Sequence, residues 1–98
     1  LARLESRPRS DLLARAIVLA LREEQLPVNN HALRAAGFSV LKAPDIPSVL
    51  IELGFLSSPR DLARLRDEEG RARIAAALRA ALTAWRDADA ARAGLVRQ

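Results

Sequence analysis

The chain has 98 residues, half of them hydrophobic and 29% charged, a composition that fits one globular domain or a piece of a larger one and excludes a disordered chain. No apolar run reaches the ~20 residues that span a bilayer, and the absence of cysteine excludes disulfides, thiolate metal sites and cysteine nucleophiles. The net charge is +4, with Lys42 the only lysine among 16 cations. Acidic residues are interleaved with the arginines, and Phe38, Phe55 and Trp85 are too few aromatics for a base-stacking surface, so nucleic acid is not an expected partner.

Residues 1–9 read as an irregular lead-in, interrupted by Ser6 and Pro8. No basic or apolar leader region is visible at Leu1-Ala2-Arg3, and a start without Met is compatible with removal of a signal upstream. Ser10 stands where an N-cap belongs, with Asp11 in the first turn, where a carboxylate suits the helix dipole. Leu13, Ile17, Ala20 and Leu21 then follow helical spacing, and Leu12, Ala14, Ala16 and Val18 widen the apolar face. A helix is expected over 10–25, lying against a sheet and closed by Pro27.

Residues 28–31 are turn chemistry. Residues 38–41 form a short strand candidate, and the loop 42–47 carries Pro44 and Pro47, neither of which suits a sheet interior. Residues 48–53 follow as a nearly continuous apolar run, expected for a central strand covered on both faces. A parallel crossover takes about a dozen residues or more, so neighbouring strands joined by this loop would be antiparallel. Two strands make no stable sheet alone, which points to membership of a larger α/β unit. Beyond Gly54, Ser58 suits a cap, Pro59 the first helical position and Asp61 the third, with Leu62 and Leu65 as apolar anchors and Asp67-Glu68-Glu69-Gly70 as the end of that helix. A last helix is expected over 71–89 on the stripe Ile74, Leu78, Ala81, Leu82 and Trp85, with Arg71, Arg73, Arg79 and Arg86 facing away. Residues 90–98 lack a stripe and read as a frayed tail.

Glu52 is the residue that invites chemistry. It interrupts the apolar run near its carboxyl end, where open α/β sheets place their ligands. Alternation puts it on the face of Leu50 and Ser48, where apolar neighbours would raise its pKa toward the range useful to a general acid or base. A structural ion pair with a buried Arg is the equal alternative. His31 is the single histidine and cannot make a zinc site alone, so it reads as a loop residue. Asp45 reads as a turn residue, Ser57 and Ser58 as capping residues, and Trp85 as core.

The string from Arg34 to Pro59 resembles the C-terminal part of the catalytic domain of zinc-dependent N-acetylmuramoyl-L-alanine amidases of the amidase 3 family. The resemblance is carried by Ala36-Gly37-Phe38-Ser39-Val40-Leu41 and by Pro47-Ser48-Val49-Leu50-Ile51-Glu52-Leu53-Gly54-Phe55. It implies an α/β class: the C-terminal part of a three-layer α/β/α fold with a mixed sheet, similar to zinc exopeptidases, with two short strands in this chain. It further implies zinc as cofactor and peptidoglycan as partner, and a periplasmic, cell-envelope or secreted location. The implied reaction is hydrolysis of the amide between N-acetylmuramic acid and L-alanine by a zinc-activated water, with Glu52 matching the family's catalytic Glu. Ser58 stands where the family usually has Asn. The zinc ligands are expected upstream of Leu1, in a missing N-terminal part of the catalytic domain, so this chain alone is expected to be inactive. The competing class is a non-catalytic module binding a partner through its Arg-rich helix faces.

Overall fold

A computed structural model describes residues 2–28, 46–54 and 57–97, and it comprises three helices: α1 (Ala2–Glu23), α2 (Pro59–Arg66) and α3 (Glu68–Arg97). Helices α1 and α3 run antiparallel, so that Arg9 meets Asp89, Leu13 and Ile17 meet Ala81, and Leu26 meets Ile74 and Ala77. The interface is narrow because α3 offers alanines. Ala77 and Ala81 are only 1% and 2% exposed, and small side chains let the helix backbones approach while Leu13, Ile17, Ile74 and Leu26 fill the space between them.

The expected α/β architecture is corrected: among the described residues there is no strand. The run at 48–53 lies between the helices of the chain order as a stretched segment without a ladder partner. A strand is defined by the neighbour that takes its backbone hydrogen bonds, and apolar content alone cannot supply one. The other strand candidate, 38–41, lies outside the described residues. The α1 face expected to meet a sheet instead meets α3, together with Val49 and Ile51 of the stretched segment.

The helix boundaries also move. α1 begins at Ala2, so Pro8 and Ser10 are interior residues rather than a break and a cap. Pro8 withdraws one donor from the helical ladder, but the turn that follows is tied to α3. Arg9 donates to both carboxylate oxygens of Asp89, at 2.8 and 2.7 Å, and Trp85 Nε1 donates to the Arg9 carbonyl at 2.9 Å. α3 for its part continues to Arg97, past the expected end at residue 89 and through the stretch read as a frayed tail. Leu82, read as core, is 50% exposed, while Ala77 takes its place at the interface.

α1 closes in a Schellman motif. Leu26 N–H donates to the Leu21 carbonyl and Gln25 N–H to the Arg22 carbonyl, both at 2.9 Å, with Gln25 at φ 59°. The chain thus reverses before Pro27 and drops Leu26 into the core. A left-handed residue with a side chain costs about 1 kcal/mol that glycine avoids. Gln25→Gly is therefore expected to stabilise the chain by about 0.5–1 kcal/mol, measured as a higher urea midpoint with unchanged slope.

One residue both ends α2 and starts α3. Asp67 N–H donates to the Ala63 carbonyl at 3.1 Å, and the Asp67 carboxylate accepts from Gly70 N–H at 3.0 Å. This is an N-cap bond to the third helical residue, so α3 starts at Glu68 rather than near 71. Gly70 is buried in this joint, where a Cβ would stand 2.8 Å from the Arg64 carbonyl oxygen. The reading of residues 67–70 as a terminator misses this, because the signal for ending one helix is also a signal for capping the next.

Candidate active site

Glu52 lies in the stretched segment that crosses the α1–α3 pair. Val49 and Ile51 are half-buried against the cluster of Leu13, Ile17 and Ala81, and Leu50 and Glu52 are exposed. The alternation expected from the sequence is therefore present over 49–52, with Glu52 exposed, whereas Ser48, expected on the face of Glu52, is half-buried, and Leu53, expected on the opposite face, is exposed. The cover expected on the side of Glu52 is not: Leu50 is 51% exposed. The helices can cover one face only, and nothing else among the described residues reaches the other. No arginine pairs with Glu52 among the described residues, so the buried ion-pair reading is not met there.

The segment is held at its start. Ser48 N–H donates to Ser10 Oγ of α1 at 2.9 Å, and the Ser48 hydroxyl donates to the Ile46 carbonyl at 3.0 Å. At its other end Gly54, at φ 157°, passes close to α2. A Cβ on Gly54 would lie 3.1 Å from Asp61 Cβ and 3.2 Å from Asp61 Cγ, a tight approach, and the backbone angle itself favours glycine. Asp61 itself belongs to the start of α2, where its N–H donates to Ser58 Oγ at 3.3 Å and its carboxylate accepts from Arg64 at 3.4 Å. The reading of Ser58, Pro59 and Asp61 as a helix start is borne out.

His31, Lys42 and Asp45 lie outside the described residues. Ser57 is exposed and Ser58 is the α2 cap. Arg71, Arg73, Arg79 and Arg86 are all exposed as expected, and the first two also reach backbone acceptors at the ends of other helices. Arg71 donates to the Leu65 carbonyl at 2.8 Å and Arg73 to the Glu24 carbonyl, satisfying acceptors at the ends of α2 and α1. Ser10 was legible only as a cap, and its bond to Ser48 spans 38 positions of sequence. Its polarity on a helix face otherwise lined by Leu13 and Ile17 was the available signal.

Away from Glu52, Asp89 has a shifted carboxyl. The Arg9 hydrogen bond beside it is the largest influence and, with the charges of Arg9 and Arg92, outweighs desolvation and holds it below its ordinary value of 3.8. A depressed carboxyl contributes stability above its unfolded value and loses it as pH falls through the folded value. The stability difference between the parent chain and Asp89→Asn is therefore expected to shrink once pH drops below 3.8, in urea titrations run across that range. Added salt is expected to narrow it further, since the Arg9 side chain is 40% exposed.

The residues described do not fit a metal centre: no group of three His, Asp or Glu side chains among them could hold an ion. What they present is an exposed carboxylate on a segment tied at its start to α1 and passing close to α2 at its end.

That segment belongs to a known class. The family model for N-acetylmuramoyl-L-alanine amidase, amidase 3, matches residues 1–84, and the chain belongs to that family. It is 34% identical over 58 residues to the N-acetylmuramoyl-L-alanine amidase AmiC of Escherichia coli O6:H1, a match covering 59% of this chain and 14% of that protein. It is 33% identical over 60 residues to the probable cell wall amidase LytH of Staphylococcus epidermidis, covering 61% of this chain and 20% of that protein. It is 50% identical over 40 residues to the probable N-acetylmuramoyl-L-alanine amidase AmiB of Haemophilus influenzae, covering 41% of this chain and 9% of that protein. The matches thus span a fifth or less of these relatives. No solved structure matches.

Proposed function

We propose that the chain is the part of a peptidoglycan amidase that carries its acid–base residue, Glu52. The complete enzyme would hydrolyse the amide between N-acetylmuramic acid and L-alanine of the stem peptide. The observation that supports this most is the outward placement of Glu52, within a family-matched segment whose opposite side is packed on helices. In this role Glu52 takes a proton from the attacking water and returns it to the leaving amine, so that carboxylate and acid are each used once per turnover. The adjacent leucines would keep bulk water from competing for that proton once the rest of the site covers them.

Zinc is proposed for the complete domain from the family resemblance, with its ligands outside the described residues. Cell-envelope location is proposed on the same footing, supported by the similarity to the probable cell wall amidase LytH. No helix among the described residues is long and apolar enough to cross a membrane. The experiment that tests the reading is substitution of Glu52 by Gln in the full-length amidase, followed by assay of muropeptide release and zinc content.

A further inference from the structure

Glu52 is exposed, and no described side chain bonds to its carboxylate. A general base acts only when its position is fixed to within about half an ångström, and sites of this kind are held by residues behind them. The hold must therefore come through the backbone of the segment, and three features supply it. Ser10 Oγ accepts from Ser48 N–H at 2.9 Å, four residues before Glu52. Val49 and Ile51 are seated on the α1–α3 core, on the opposite side of the segment. Gly54, two residues after Glu52, lies beside the Asp61 side chain, which an added Cβ would approach to 3.1–3.4 Å.

From this we infer that Ser10 and Asp61 are positioning residues for the acid–base step. They fix Glu52 through the two ends of its segment, one from α1 and the other from the start of α2. The pairing explains two facts that cap and turn chemistry leave over. A hydroxyl sits in the interior of α1, where it gives the helix no cap. A glycine with φ 157° sits two residues from the carboxylate, with the Asp61 side chain close on the side where a Cβ would stand. The core contacts of Val49 and Ile51 alone would leave the segment free to slide along its length, since apolar contact is non-directional. The Ser10 hydrogen bond and the Gly54–Asp61 contact set where along that length Glu52 stands. The inference rests on the reading of Glu52 given above.

The test uses the full-length, zinc-loaded amidase with Ser10→Ala, Ser10→Thr, Asp61→Ala and Asp61→Asn. A displacement approaching 1 Å in a catalytic group costs up to ~10²-fold in rate. We expect kcat to fall roughly tenfold in Ser10→Ala and Asp61→Ala, with KM and zinc content unchanged. Thr restores the hydroxyl and Asn the shape, and both are expected to recover most of the rate. Amide hydrogen exchange at Ser48 should quicken in Ser10→Ala and stay slow in Ser10→Thr. In a Glu52→Gln background the alanine substitutions should change the residual rate by no more than about twofold, since there is no longer a base to misplace.

Wild-type kcat in both alanine variants overturns the inference, as does a loss that the Thr and Asn variants fail to recover. A loss that persists undiminished in the Glu52→Gln background assigns the two residues a purely structural role and also overturns it. If Asp61→Ala does not fold, the Ser10 pair and Asp61→Asn carry the test. Full activity of Glu52→Gln would instead remove the reading beneath the inference, an outcome distinct from failure of the inference itself.

Discussion

Glu52→Gln in the full-length amidase is expected to lower muropeptide release by roughly 10²–10⁴-fold, the range for loss of a positioned acid–base. Glutamine keeps the shape and length of the side chain but can neither take a proton from water nor carry one to the leaving amine. Zinc content and the thermal unfolding midpoint are expected to stay at wild-type values, because Glu52 is exposed and makes no bond to any described side chain. The combination is what discriminates. A structural glutamate would lower stability together with activity, and a metal ligand would lower zinc content together with activity. Retained hydrolysis would remove Glu52 from the mechanism.

The second large effect is expected at Trp85. The indole is half-buried against α1, its Nε1 donates to the Arg9 carbonyl at 2.9 Å, and the Arg9 guanidinium lies 5.8 Å from the ring centroid on its way to Asp89. One side chain thus supplies apolar area, a hydrogen bond across the helix pair and one wall for the ion pair. Trp85→Ala is expected to cost about 3 kcal/mol, the lower part of the range for truncating a large aromatic, because the ring is only partly enclosed. Trp85→Phe keeps most of the area but leaves the Arg9 carbonyl without its indole donor, and about 1 kcal/mol is expected. Urea denaturation of the two variants measures both. Equal losses would place the whole effect in the hydrogen bond, and a negligible loss in Trp85→Ala would show that the α1–α3 contact near Arg9 contributes little.

The exposed surface around Glu52 bears on how such measurements are read. Leu50, Leu53 and Ile46 are about half exposed, and apolar side chains grouped this way beside a carboxylate mark a face suited to burial by further protein. Stability measured on the chain alone therefore samples the helix pair. Activity is a property proposed for the full-length enzyme.

Local chemistry was legible in the sequence. The α2 start at Ser58, Pro59 and Asp61 could be read from residue types, because a cap and its helix lie within four positions of each other. The stripes of α1 and α3 gave Leu13, Ile17, Ile74 and Ala81 as core, since helical periodicity alone selects the face. The alternation that turns Glu52 away from Val49 and Ile51 follows from the period of an extended backbone. The motif around Glu52 also gave the family, through residue identities.

Tertiary structure decided what depends on a distant partner. Pro8 and Ser10 read as a boundary, yet α1 runs through both, tied to α3 by the Arg9–Asp89 and Trp85 bonds across about eighty positions. Asp67 and Gly70 read as a helix end, yet they join two helices. The run at 48–53 read as a central strand, yet whether an extended segment becomes a strand depends on a neighbour for its backbone hydrogen bonds, and the described residues offer helices instead. Residue pattern fixes which side of a segment faces inward, because that is set within a few bonds. What lies against that side is set by where the rest of the chain goes, and that only the folded molecule supplies.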